Sequence, residues 1–151
     1  KDRVHWASCM VHQLRSLPEE AVKNIWEEWI KEYWNQRING VPLELSPDEL
    51  RQMISWITGL KPVFPSVIEL ICAKPSPGLE RTSLYFRLKE FVHSYPQELI
   101  KLLVHLLSGE KYPFYFGQDV KNIVEELVRA GIPSDQLKPI REQLVRLGIS
   151  I

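Results

Sequence analysis

Apolar residues recur at spacings of three and four along almost the whole chain, and proline, glycine and N-capping residues punctuate them. Leu17-Pro18-Glu19-Glu20 opens the clearest helix. Proline fits the first turn, where its missing N–H would be unpaired anyway, and the two glutamates sit at the positive end of the helix dipole. Val22, Ile25, Trp26, Trp29, Ile30, Tyr33 and Trp34 follow as a wide apolar stripe, and Asn39-Gly40 supplies a stop. Ser46-Pro47-Asp48-Glu49 opens a second helix carrying Leu50, Met53, Ile54 and Ile57. Pro65-Ser66 opens a shorter one with Val67, Leu70 and Ile71. After the loop Lys74-Pro75-Ser76-Pro77-Gly78, the next helix carries Leu84, Leu88, Phe91, Val92 and Tyr95. Pro96-Gln97-Glu98 then starts a leucine-rich helix with Leu99, Leu102, Leu103, Leu106 and Leu107, closed by Ser108-Gly109. Val120, Ile123, Val124, Leu127 and Val128 define a further helix ending at Gly131. Ser134-Asp135 is expected to cap the last, which carries Leu137, Ile140, Leu144 and Leu147; Pro139 either kinks it or marks its start.

Residues 2 to 15 also read helical, with Val4, Ala7, Val11 and Leu14. The one alternating stretch, Val41-Pro42-Leu43-Glu44-Leu45, is short and contains a proline, which argues against a strand. The expected fold is therefore all-α, with seven or eight helices. Short loops favour antiparallel neighbours. Paired helix starts recur every ~33 to 47 residues, in the range of helical-hairpin repeats. The leading architecture is a short HEAT-like α-solenoid, and an irregular helical bundle is the alternative. No internal linker divides the chain, so 1–151 reads as one helical domain, with 1–16 a helix from a preceding repeat. The start at Lys1 suggests a C-terminal fragment of a longer protein.

Charge narrows the function classes. Nineteen Lys+Arg balance nineteen Asp+Glu, and the basic residues are scattered. Nucleic-acid binding driven by clustered cations is not favoured by that balance. No apolar run reaches the roughly 20 residues of a membrane span. Two cysteines 63 positions apart, Cys9 and Cys72, make no disulfide framework, which suits a reducing, cytoplasmic setting.

Candidate chemistry is sparse. His5, Cys9 and His12 lie at i, i+4 and i+7 of one expected helix and are zinc-ligand types, but no fourth ligand is evident. The plain alternative is a cysteine packed between two edge histidines. There is no nucleophile elbow, P-loop or H-E-x-x-H. The adjacent pairs Glu27-Glu28 and Glu125-Glu126 point about 100° apart and cannot share a substrate. Catalysis and a cofactor are not expected. Trp26, Trp29 and Tyr33 coincide with the core stripe, so Trp34 is the indole expected to reach a partner or a neighbouring repeat. The run Tyr112-Pro113-Phe114-Tyr115-Phe116-Gly117 puts four aromatics where helical periodicity lapses. Either it folds back onto the core, or Tyr112, Phe114, Tyr115 and Phe116 form a contact patch for a partner.

Trp29…Tyr33-Trp34…Arg37…Gly40-Val41-Pro42-Leu43, followed by Glu49…Met53…Trp56, Phe64-Pro65…Glu69-Leu70, His93…Pro96…Leu102-Leu103…Leu106-Leu107 and a closing Leu144…Leu147-Gly148, make up a recognisable pattern. It resembles a helical domain of unknown function that ends large bacterial proteins. Some of those carry a sirtuin-like NAD-hydrolysing domain at the N-terminus and look like anti-phage defence effectors. The resemblance runs from about Leu17 to Gly148 and brings no catalytic residues with it. It implies a non-catalytic interaction or sensor module, whose partner is the protein's own N-terminal domains, a second copy, or another protein. The alternatives are a nucleic-acid-binding helical module and a small metal-dependent enzyme built on His5, Cys9 and His12.

Overall fold

The computed structural model describes residues 9–10, 12–79, 83–112 and 116–150. Every regular element among them is helical, and none is a strand. Of the helix expected over residues 2 to 15, positions 9, 10 and 12–15 are described; all are helical except Arg15, which lies in a turn. Eight α-helical segments follow. They fall into two compact units, residues 1–74 and 75–151.

The first unit is built on one long rod: α1 (Glu19–Ile25), a single wide π turn (Trp26–Ile30) and α2 (Lys31–Ile38). The wide turn is marked by the Lys31 amide, which donates to the Trp26 carbonyl five residues back. Its cause is legible in the burial pattern. Val22, Trp26, Ile30, Trp34 and Ile38 are all buried, at a strict spacing of four. In a regular α-helix such a row drifts about 40° per step, or about 160° over four steps. One extra residue taken up in a π turn returns about 100° of this. The remaining ~60° fits within an ordinary apolar face. Gly40 stops the rod at φ +78, and two amides reach back beyond the helix end, Gly40 N to Arg37 O and Val41 N to Gln36 O. This is the Schellman arrangement, which favours glycine at the left-handed position. Gly131 and Gly148 close two later helices in the same way.

Ser46 caps α3 (Pro47–Ile57), its hydroxyl accepting from the Glu49 amide at 3.2 Å. A tight 3-10 turn (Lys61–Val63) leads directly into α4 (Phe64–Ile71). Met53, Ile54, Ile57, Phe64, Val67 and Ile68 complete this core, against which α2 and α4 pack. The indole N–H of the fully buried Trp26 donates to Ser66 Oγ at 2.8 Å, so its burial leaves no orphaned donor.

In the second unit, α5 (Leu84–Arg87) tightens into a 3-10 turn (Leu88–Phe91), short of the Tyr95 end expected from periodicity. The reason is Pro96, which opens α6 (Pro96–Ser108) and pushes the residue before it out of helical conformation. The helices α7 (Gly117–Arg129) and α8 (Ser134–Arg146) follow. Leucines of α6 pack against Leu137, Ile140 and Leu144 of α8, and α5 packs against α7. Ser134 is the first helical residue rather than the cap expected of it, and its hydroxyl accepts from Arg141. Pro139 lies inside this helix, so it does not mark the helix start. No single helix among the described residues is long and apolar enough to cross a membrane.

Candidate functional site

Three polar side chains are buried among the described residues: Arg37, Thr58 and Glu110. Thr58 is spent locally, its hydroxyl donating to the Ile54 carbonyl one turn back. The other two each organise a loop, and each loop or its neighbour carries exposed apolar side chains.

In the first unit Arg37 is only 6% exposed. Its Nε and Nη2 donate to the two carboxylate oxygens of Glu49, at 2.8 and 2.6 Å. Its Nη1 donates to the carbonyls of Val41 and Leu43, at 3.1 and 2.7 Å. The planar guanidinium suits this fork, with carboxylate on one edge and backbone on the other. The hydrogen bond donated to Glu49 holds the Arg37 pKa above its ordinary value against the opposing cost of burial, and the Glu49 charge adds to it. Glu49 stands at the capping-box position, three residues after Ser46, from which a glutamate commonly returns to the cap amide. Here its carboxylate goes to Arg37 instead. The result is a loop pinned from inside, with Val41 exposed and Leu43 73% exposed.

The same rod decides which tryptophan meets solvent. Trp34 is 1% exposed and Trp29 67% exposed. The partner-facing role expected of Trp34 is therefore overturned: the wide turn carries position 34 into the core and leaves position 29 outside. Tyr33, half-buried, meets the edge of Trp34, with ring centroids 5.0 Å apart. The clue available in the sequence was the unbroken spacing-of-four row from Val22 to Ile38, which a regular helix cannot keep on one face.

In the second unit the Glu110 carboxylate accepts from the Leu79 amide at 2.6 Å and from the Tyr85 hydroxyl at 3.0 Å. Arg146 Nη2 donates to the backbone carbonyls of Leu107 and Glu110, at 2.6 and 3.2 Å, closing the C-terminal end of α6. Burial holds the Tyr85 phenol well above its ordinary pKa, and the neighbouring Glu110 charge adds to this. The Tyr85 ring also packs on Phe116, centroids 4.7 Å apart. Gly109 lies so close to Ser76 that a Cβ there would overlap the Ser76 carbonyl. These contacts seat the Ser76–Leu79 and Gly109–Glu110 segments on one another. Phe86, next to Tyr85, and Tyr112, two residues past Glu110, are both exposed.

Of the aromatic run, Tyr112 is thus at the surface, while Phe116 is core, in line with the folding-back alternative and against a contact role for that residue. Phe114 and Tyr115 lie outside the described residues. Of the expected zinc ligands, His5 lies outside them, and Cys9 and His12 are exposed. Among the described residues no three His, Cys, Asp or Glu side chains are placed to hold a metal ion. The sequence reading missed Glu110, whose partners are 25 and 31 residues away, and Arg37, whose partner is 12 away.

A family model described as a domain of unknown function (DUF4020) matches residues 1–144. No curated protein and no solved structure matches the chain.

Proposed function

The chain belongs to the DUF4020 family, and on that premise we propose that it is a non-catalytic interaction or sensor module of a larger protein. One observation carries the reading. Both buried charged side chains hold backbone in place beside exposed apolar groups: Arg37 beside Val41 and Leu43, and Glu110 beside Tyr112 and, through Tyr85, Phe86. A buried charge is expensive unless fully bonded, so fixing a loop this way is worthwhile where loop shape matters. Pre-ordered apolar side chains lose less freedom on binding, which is what a docking surface requires. A stack of antiparallel helical hairpins, the arrangement favoured by the loop lengths, would present such surfaces along its length. The resemblance to domains that follow a sirtuin-like NAD-hydrolase adds a context: the module would assemble or restrain an enzymatic part in a bacterial cytoplasmic defence protein.

Site-directed photo-crosslinking in cells tests this. A benzoyl-phenylalanine at positions 29, 43, 86 or 112 is expected to give discrete cross-linked species. The exposed polar positions Gln52 and Glu125 serve as controls. Cross-linking no stronger at the four apolar positions than at the controls refutes the proposal.

A further inference from the structure

The surface around Trp29 has a chemical character that narrows its partner. Gln36 lies seven residues beyond Trp29, about two turns and about 10 Å further along the rod. Val41 hangs from the Gln36 carbonyl, and Leu43 from Arg37 beside it. The exposed Trp29, Val41 and Leu43 thus lie along a stretch on the order of 15 Å long, from the wide turn to the loop after α2.

Every cation on this stretch is already engaged. Lys31 pairs with Glu27 at 3.5 Å, and Arg37 with Glu49. Three exposed carboxylates flank the strip with no cationic partner among the described residues: Glu28 and Glu32, one turn apart beside Trp29, and Glu44 next to Leu43. Glu32 accepts only from the neutral Gln36 amide. The local field is negative around an indole face and two aliphatic side chains. Such a field disfavours phosphate-bearing partners, nucleic acid and anionic membrane alike. It favours a cation that stacks on the indole while its neighbours cover Leu43 and Val41.

Building on the interaction-module reading, we propose that the Trp29–Leu43 strip docks a basic amphipathic protein segment. Its arginines or lysines would meet Glu28, Glu32, Glu44 and the Trp29 ring, and its apolar face would cover Val41 and Leu43. This follows the groove-and-anchor mode of peptide recognition, with charge setting the partner.

The test uses the whole chain and two fluorescein-labelled 15-residue peptides with the same helical leucine pattern. One has arginine at its polar positions and the other glutamate. Fluorescence anisotropy at low ionic strength is expected to show binding of the arginine peptide at least tenfold tighter than of the glutamate peptide, weakening as salt is added. Trp29→Ala and Leu43→Ser should each weaken it about tenfold, and the pair Glu28→Lys with Glu32→Lys should invert the preference. All four positions are exposed, so thermal unfolding of the variants should match the parent and exclude misfolding. No binding of the arginine peptide, equal binding of both peptides, or variants that bind like the parent overturn the proposal. Cross-links at positions 29 and 43 without charge preference would overturn this inference and leave the interaction-module reading standing.

Discussion

Replacing Arg37 by methionine removes the clamp under the Val41–Leu43 loop and leaves Glu49 without its cation. Breaking a buried ion pair from one side costs about 3–5 kcal/mol. The Glu49 side chain retains 17% exposure, so water partly rescues the stranded carboxylate. That brings the expected loss down to the bottom of this range or just below it, about 2–3 kcal/mol. Glu49→Met strands a guanidinium that keeps its two carbonyl acceptors, so its cost should be smaller, about 1–2 kcal/mol. The double replacement leaves no unpaired charge and fills the space with apolar groups, which is often close to neutral. The loss in the double variant should therefore fall well short of the sum of the two single losses, with a coupling of about 1.5 kcal/mol or more. All five tryptophans fall within the first unit, so tryptophan fluorescence in a urea titration follows that unit alone. Amide exchange at Val41 should quicken in Arg37→Met, because its bond to Gln36 loses the support of the neighbouring clamp. An Arg37→Met variant within about 0.5 kcal/mol of the parent, a value ordinary for surface changes, would refute the reasoning, as would strictly additive single losses.

Trp34→Ala should cost about 3–5 kcal/mol and Trp29→Ala about 0.5 kcal/mol or less, because only the first empties a filled core site; the same urea titration decides between them. Tyr85 holds its proton in the folded state beyond the unfolded value of 10.0, chiefly through burial and then through Glu110. The unfolded chain therefore binds fewer protons above that pH, and stability should fall as pH rises past about 10. In Tyr85→Phe this alkaline decline should flatten, at a cost of about 1–2 kcal/mol near neutrality for the donor lost to Glu110; thermal melts from pH 8 to 11 give both readings. Gly78→Ala combines a φ of +77 with a Cβ 2.8 Å from the Gly109 carbonyl oxygen. It should lower stability by more than about 1 kcal/mol, and a denaturation midpoint equal to the parent's would contradict the close seating of these two segments.

Helix positions were legible because their signals are local. Ser46 with Pro47, Pro96, and the glycines at 40, 131 and 148 act through the backbone of their own turn. The faces of the first rod were less legible. A stripe containing both the 25-29-33 and the 26-30-34 rows fits a regular helix equally well either way, and only the wide turn chooses between them. Thus Trp34 and Trp29 exchanged their expected roles. The loop anchors were not legible at all. Glu110 follows a helix in a stretch with no periodicity, and its value comes from a tyrosine and an amide brought to it by folding. Glu49 carried a local signal, but a misleading one, since a capping box and a bridge to Arg37 draw on the same carboxylate.

The surplus residue at Trp26–Ile30 makes the long rod a rotary joint whose setting is stored in chain length. Deleting one residue there would turn Trp34, Arg37 and Ile38 by about 100° relative to Val22, unseating the clamp and the core together. No single side-chain exchange reproduces that rotation. Insertions and deletions at this turn, more than substitutions along it, therefore govern which indole this protein shows to its surroundings.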